Sequence, residues 1–233
     1  MKRIIISFTL MAALSVSWAQ NLEFKISSMG MRVAKLKMSV TENSLYVKAS
    51  NSGMRTIFPH INNSYSVQFK NDYLPLRYNR IIHQDTLKDT VLTTYENGGG
   101  IMRRSKAGTQ PFTYPLPPQS RDFFSLIWKI CKSAKATGEY VVDGNGRTWK
   151  AIVSGGDIDN ISTPLGKFQA TRYQLKFKPI TAQKAEYVDM LTHNFLDESI
   201  TLLLWVNQGG IPVKAHLKKK LMGMHWEIES ISQ

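Results

Sequence analysis

Residues 120–133, SRDFFSLIWKICKS, constrain the fold of this chain more than any other stretch. Asp122, Ser125, Lys129 and Lys132 recur at i, i+3, i+7 and i+10, the spacing of one helical face. Phe123, Phe124, Leu126, Ile127, Trp128, Ile130 and Cys131 cover the rest of the surface. Ser120 reads as the N-cap, Asp122 suits the positive helix start, and Lys129 and Lys132 suit the negative end. At about 1.5–3 kcal/mol for each large side chain buried, such a helix gains on the order of 10 kcal/mol before entropy is counted. That gain requires a concave partner.

The remaining sequence offers a curved sheet. Leu22, Phe24 and Ile26 alternate with Glu23, Lys25 and Ser27. Ala34, Leu36, Met38 and Val40 alternate with lysines and a serine, and Leu45, Val47 and Ala49 follow after a Glu42-Asn43-Ser44 turn. A period of two is the signature of a strand with one buried face. The pattern returns at Tyr65-Val67-Phe69, at Leu76-Tyr78-Arg80-Ile82, over Thr90–Glu96 and up to Lys106. Beyond the helix, Glu139–Val142 and Arg147–Val153 flank Asp143-Gly144-Asn145-Gly146 as a hairpin. Ile158–Ser162 pairs with Phe168–Lys178. Leu202-Leu203-Leu204-Trp205-Val206 is apolar on both faces and belongs in the middle of the sheet. Ile211–Lys218 and Met224–Ile231 end the chain. About ten short strands and one helix define a mainly β fold: a strongly curved antiparallel half-barrel wrapped around a central amphipathic helix. A proline-rich connector, Gly108–Gln119, leads into that helix, and Thr181–Asp197 reads as either a helix or an irregular insertion.

The first 19 residues read as a secretory signal: Lys2 and Arg3, the apolar run Ile4–Val16, and the small-x-small site Ser17-Trp18-Ala19. Residues 20–233 then form a single domain. No cysteine stands directly after the signal, so bacterial lipid attachment is not expected, and no later stretch approaches a transmembrane span. Cys131 is the only cysteine, which rules out an internal disulfide and reads as a small buried hydrophobe.

The net charge of +13, less Lys2 and Arg3, leaves +11 on the exported part. Export argues against nucleic acid as the partner. Lys25, Lys35, Lys37, Lys48, Lys70, Lys176 and Lys214 all alternate onto outer faces, as a solvated exterior requires. Lys218, Lys219 and Lys220, beside Leu221, Met222, Met224 and Trp226, are the exception. They read either as a charged edge that blocks strand addition or as contact with an anionic membrane surface.

Catalytic and metal motifs are not evident. His60, His83, His193, His216 and His225 show no i, i+4 ligand spacing. Asn97-Gly98-Gly99-Gly100 precedes a strand rather than a helix, so it does not read as a phosphate cradle. Asp143-Gly144-Asn145-Gly146-Arg147 opens like a calcium loop, but Arg147 stands at a ligand position and Ser154 where a bidentate Glu is needed. Asp157 and Asp159 share a strand face by simple alternation. No cofactor and no metal is called for, and an enzyme is not expected.

Several segments together resemble an uncharacterised family of exported bacterial proteins, a domain of unknown function. They are Ser162-Thr163-Pro164-Leu165-Gly166-Lys167-Phe168, Leu204-Trp205-Val206 with Gly210-Ile211-Pro212-Val213-Lys214, the opening Phe24–Leu36, and Pro115-Leu116-Pro117-Pro118 before the helix. The insertion at Thr181–Asp197 departs from that family's short connection. The family in turn is similar to periplasmic lipoprotein carriers of the LolA/LolB kind, which implies a half-barrel closed by helices over an apolar hollow and no catalytic residues. A lipid acyl chain or lipidated partner is the ligand that this implies. The expected lining is Phe24, Leu36, Met38, Val47, Met54, Ile57, Phe58, Leu204, Val213 and Trp226. The alternative is a structural or interaction module of the cell envelope whose helix fills the hollow completely.

Overall fold

Alternation decides the architecture. In the computed structural model the described residues are 19–51, 60–96, 101–106, 108–184, 186–219 and 222–232. Residues 1–18 of the expected 19-residue signal, Met54, Ile57, Phe58, the glycine run 97–100 and Lys220 lie outside them. Eight strands precede the central helix: β1 (Gln20–Ser28), β2 (Met31–Val40), β3 (Ser44–Asn51), β4 (Asn62–Lys70), β5 (Leu74–Gln84), β6 (Leu87–Glu96), β7 (Ile101–Lys106) and β8 (Phe112–Pro115). Six follow it: β9 (Gly138–Gly144), β10 (Arg147–Thr163), β11 (Gly166–Pro179), β12 (Thr201–Asn207), β13 (Pro212–Lys219) and β14 (Met222–Ser232). Helix α1 spans Phe123–Lys132 and the short α2 spans Met190–Phe195.

All fourteen strands form one antiparallel sheet in the order β8-β7-β6-β5-β4-β3-β2-β1-β14-β13-β12-β11-β10-β9. Each half is an up-and-down meander, and the halves are joined where β1 pairs with β14. The edge strands β8 and β9 flank α1 in sequence, so the chain passes from one edge to the other through the helix. The segment just before α1 bridges to the far edge: Arg121 N–H donates to the Val141 carbonyl at 3.0 Å, and Asp143 N–H donates to the Arg121 carbonyl at 2.8 Å. Tyr114 on β8 donates its hydroxyl to Asp143 on β9 at 2.7 Å. The two edges are thereby drawn together, and the sheet is barrel-like.

The register of β1 with β2 keeps their apolar sets inside. Leu22 opposes Met38 and Phe24 opposes Leu36 on the inner face, while Glu23, Lys25, Lys35 and Lys37 share the outer one. Three local readings change. Leu76 is 43% exposed although Tyr78, Arg80 and Ile82 point inward, because the register slips between Gln68 and Phe69 of β4 opposite it. Arg147–Val153 and Ile158–Ser162 are one strand, β10, bent at a bulge by Gly155. Gly155 has φ +104°, and a Cβ there would stand 2.6 Å from the Arg172 carbonyl oxygen. The proline-rich connector contains β8, and the Thr181–Asp197 segment, read as either helix or irregular insertion, holds the short α2 within an otherwise irregular stretch.

The N-cap of α1 is Asp122 rather than Ser120. Its carboxylate accepts from the N–H groups of Phe124 at 2.9 Å and Ser125 at 3.1 Å. Pairing of Arg121 with β9 holds the chain extended to that point, and Ser120 bonds back to the Pro117 carbonyl. The polar stripe of the helix is divided. Asp122 and Ser125 are buried and bonded to each other. Lys129 pairs with Asp72, and the Lys132 amine lies 4.8 Å from the Trp128 ring centre.

Candidate functional site: an apolar crevice beside a buried polar cluster

The inside of the sheet is chemically divided in two. On the side of β1, β2, β12, β13 and β14, an apolar crevice of about 90 Å³ lies between the sheet and the helices. Five of the residues expected to line a hollow line this one: Phe24, Leu36, Met38, Leu204 and Trp226. Val47 and Val213 are buried elsewhere in the core, so they are not lining residues. Phe123, Phe124 and Ile127 of α1 form one wall, and Leu191 and Phe195 of α2 another. The second wall carries no clear signal in the sequence, because one and a half turns of helix are too short for a period of 3.6 to stand out. The space exists because Ala215 on β13 faces inward between Leu204 and Trp226 with only a methyl group.

On the side of β4, β5 and β6 the interior is polar. Arg80 is 2% exposed and stands opposite Tyr65 on one flank and Val91 on the other. Its guanidinium bonds to Asn145 in the β9–β10 turn, and it lies 4.7 Å from the Tyr78 ring centre. Burial works against its charge, but the Tyr78 hydroxyl, Asp189 and Asp143 outweigh that and keep it protonated. Asp189 caps α2 through Thr192 N–H at 2.9 Å and accepts the Tyr65 hydroxyl at 2.8 Å. Asp143 accepts the hydroxyls of Tyr95 and Tyr114. Burial pushes the hydroxyls of Tyr65, Tyr78 and Tyr95 well above the ordinary tyrosine range, so each stays protonated at neutral pH. Burial likewise raises the Asp122 carboxyl, despite its bonds from Ser125 and Phe124. Phe124 separates the two halves: its ring centre is 5.1 Å from that of Tyr65 and 6.2 Å from that of Tyr78, and the ring also lines the crevice.

The acidic groups of the outer face are paired with basic ones. Asp157 and Asp159 both contact Arg172 on the outer face, at 3.2 and 3.3 Å, and Asp159 accepts the Trp205 indole N–H at 2.8 Å. Lys25 and Lys214 both pair with Glu227, at 3.1 and 3.0 Å, and Lys35 and Lys37 both pair with Glu23. These lysines are the solvated exterior that alternation implies. Lys219 reaches Asp197 at 3.4 Å, whereas Lys218 is exposed. No described helix is long and apolar enough to cross a membrane.

No family model matches the chain, and no curated protein does. Among solved structures, it is similar to a β-barrel-like protein of domain of unknown function DUF1849 from Brucella abortus. The TM-score is 0.59 at 7% identity, over 92% of this chain and 97% of that one. At that identity the likeness is one of fold. A protein from Parabacteroides distasonis described as a lipoprotein aligns at TM-score 0.34 and 10% identity, over 92% of this chain and 95% of that one. An exported protein with a YmcC-like fold from Bacteroides fragilis aligns at TM-score 0.30 and 8% identity, again over 92% and 95%.

Proposed function

We propose that this chain is an exported, non-enzymatic protein that shelters a slim apolar group, the end of a lipid acyl chain or of a lipidated partner, between α1 and the sheet. The observation that supports this reading is the crevice bounded by Phe24, Leu36, Met38, Leu204, Ala215 and Trp226, whose exposed lining is almost wholly apolar. An acyl chain is matched by such a lining because every contact is dispersive and removes apolar surface from water. The methionine and the aromatic rings adapt to chains of differing length. Membrane contact through Lys218, Lys219 and Lys220 belongs to the same reading, as a route by which a lipid would arrive.

The size of the crevice favours a second reading. About 90 Å³ is well below the ~300 Å³ of a pocket that encloses a whole small molecule. A barrel whose helix almost fills its interior serves equally as a structural or interaction module of the envelope. One experiment separates the two. The purified protein is titrated with cis-parinaric acid, and its organic extract is analysed by mass spectrometry. Saturable fluorescence that is lost in Ala215→Phe, where the ring fills the crevice, supports acyl binding. No saturable signal and no lipid in the extract would leave the solid module.

A further inference from the structure

The C-terminal end of α1 borders a second and larger space. A pocket of about 440 Å³ lies between the last turn of the helix, the inner face of β11 and the β12–β13 turn. It shares no lining residue with the crevice, which reaches along α1 as far as Ile127, one turn before Cys131. Its volume falls in the ~300–1,000 Å³ range of small-molecule sites, and the mouths of β-barrels are a preferred place for them.

The protein leaves several polar groups of this pocket without partners. Tyr173 alternates inward with Leu175 and Phe177 and is only 9% exposed, yet among the described residues its hydroxyl has no hydrogen-bond partner. The hydroxyls of Thr171 and Ser133 in the same lining are likewise without one. The carbonyls of the last turn of α1 have no partner within the helix. The β12–β13 turn closes against them through a glycine: Gly210 has φ +68°, and a Cβ there would stand 2.8 Å from the Cys131 carbonyl oxygen.

The charges select the ligand. Lys132 is the only charged side chain of the lining, and its amine donates to the Gly209 carbonyl at 3.3 Å and lies 4.8 Å from the Trp128 ring centre. This ammonium already answers the negative end of the helix, so a cationic ligand gains nothing there, and an anion is repelled by the helix carbonyls. Hydroxyl groups, which both donate and accept, match free hydroxyls and carbonyls together. The surface continues along the β10–β11 hairpin. Ile158 pairs with Thr171 and Asn160 with Gln169, so all four share the face that borders the pocket. Ile158 is 65% exposed, and Gln169 accepts from Gln208 of the pocket at 3.1 Å. An apolar side chain beside amides suits the two kinds of surface on a sugar ring, its C–H faces and its hydroxyl edges.

We propose that this pocket binds the end of a neutral oligosaccharide. One pyranose ring lies in the pocket, with its hydroxyls on Tyr173, Thr171 and the helix carbonyls, and the next rests on Ile158 and Asn160. The site is independent of what the crevice holds.

The test is nuclear magnetic resonance of the full exported chain with maltotriose, cellotriose and triacetylchitotriose, each added alone up to about 10 mM. The expected result is saturable shifts at residues 131–134, 171–173 and 207–210 with at least one of the three. Tyr173→Phe, which removes only the hydroxyl, should weaken that binding about tenfold. Ala134→Trp, which places a ring in the pocket from an exposed position, should abolish it and leave any cis-parinaric acid signal unchanged. No saturable shift with any of the three sugars, or shifts at other residues only, overturns the proposal. So does wild-type affinity in both variants, or tighter binding of the neutral peptide acetyl-Ala-Ser-Ala-amide than of the sugars. Should a variant fold poorly, the shifts of the wild-type protein decide.

Discussion

The ring of Phe123 lies stacked on that of Phe195, with centres 4.4 Å apart and planes 18° from parallel. Phe123 opens the long helix and Phe195 closes the short one, so this contact ties α2 to the barrel interior. Phe195 also meets Trp226, at 5.6 Å, across the crevice. Replacing Phe195 with Ala should cost about 3–5 kcal/mol, the usual loss for a buried phenyl group. Chemical denaturation would show it as a lower midpoint with an unchanged slope. If the crevice takes an acyl chain, the same variant should bind longer chains, because its wall is gone.

Asp122 should separate two roles. Asp122→Ala removes the acceptor for two helix N–H groups and for the Ser125 hydroxyl, and should cost about 1–2 kcal/mol or somewhat more in this buried setting. Asp122→Asn keeps an acceptor for the N–H groups and should be milder. The sign of its pH effect follows from burial. A carboxyl raised in the folded state favours folding below its ordinary pKa, and that advantage is lost as pH climbs through the raised value. Ionised Asp122 therefore supports the fold less than the protonated acid does, whereas asparagine has no such pH dependence. Thermal melts across the acidic range should show the Asn variant gaining on wild type as pH rises.

Glu227 should behave in the opposite sense. Burial alone would raise it, but the hydrogen bonds from Lys214 and Lys25 win and lower it. A depressed carboxyl stabilises the fold above its ordinary pKa, and that contribution fades as pH falls through the lowered value. Solvent still reaches this partly exposed group and screens it, so Glu227→Gln should cost only about 0.5 kcal/mol at neutral pH. The difference from wild type in thermal melts should shrink with added salt and fade as pH falls through the lowered value.

Cys131 should be inert in the folded protein. It is buried and the burial pushes its thiol up to about 12, so almost no thiolate forms at neutral pH. Ellman's reagent should report no thiol under native conditions and one per chain after denaturation.

Gly155 should not accept a side chain. Its φ of +104° and the Arg172 carbonyl 2.6 Å from a would-be Cβ both oppose alanine. Gly155→Ala should cost more than ~1 kcal/mol, read from a thermal melt, by straightening the bend that carries β10 past β9.

The amino-acid pattern by itself determined the sheet and its polarity. A period of two over β1, β2 and β3 leaves each side chain one of two faces, so Phe24, Leu36 and Met38 could only go inward and Lys25, Lys35 and Lys37 outward. The greasy surface of α1 likewise required a concave sheet. Tertiary structure alone decided what depends on position around the barrel. Val47 and Val213 face inward as their alternation demands, yet the crevice forms elsewhere, where α2 and the small Ala215 leave space. Arg80 alternates inward like its neighbours, but only the β9–β10 turn and Asp189 make its burial tolerable. His216 and His225 stack across β13 and β14 but read as scattered, because nothing within one strand encodes the register of the next. Local alternation fixes the direction of a side chain, and pairing between distant strands fixes its company.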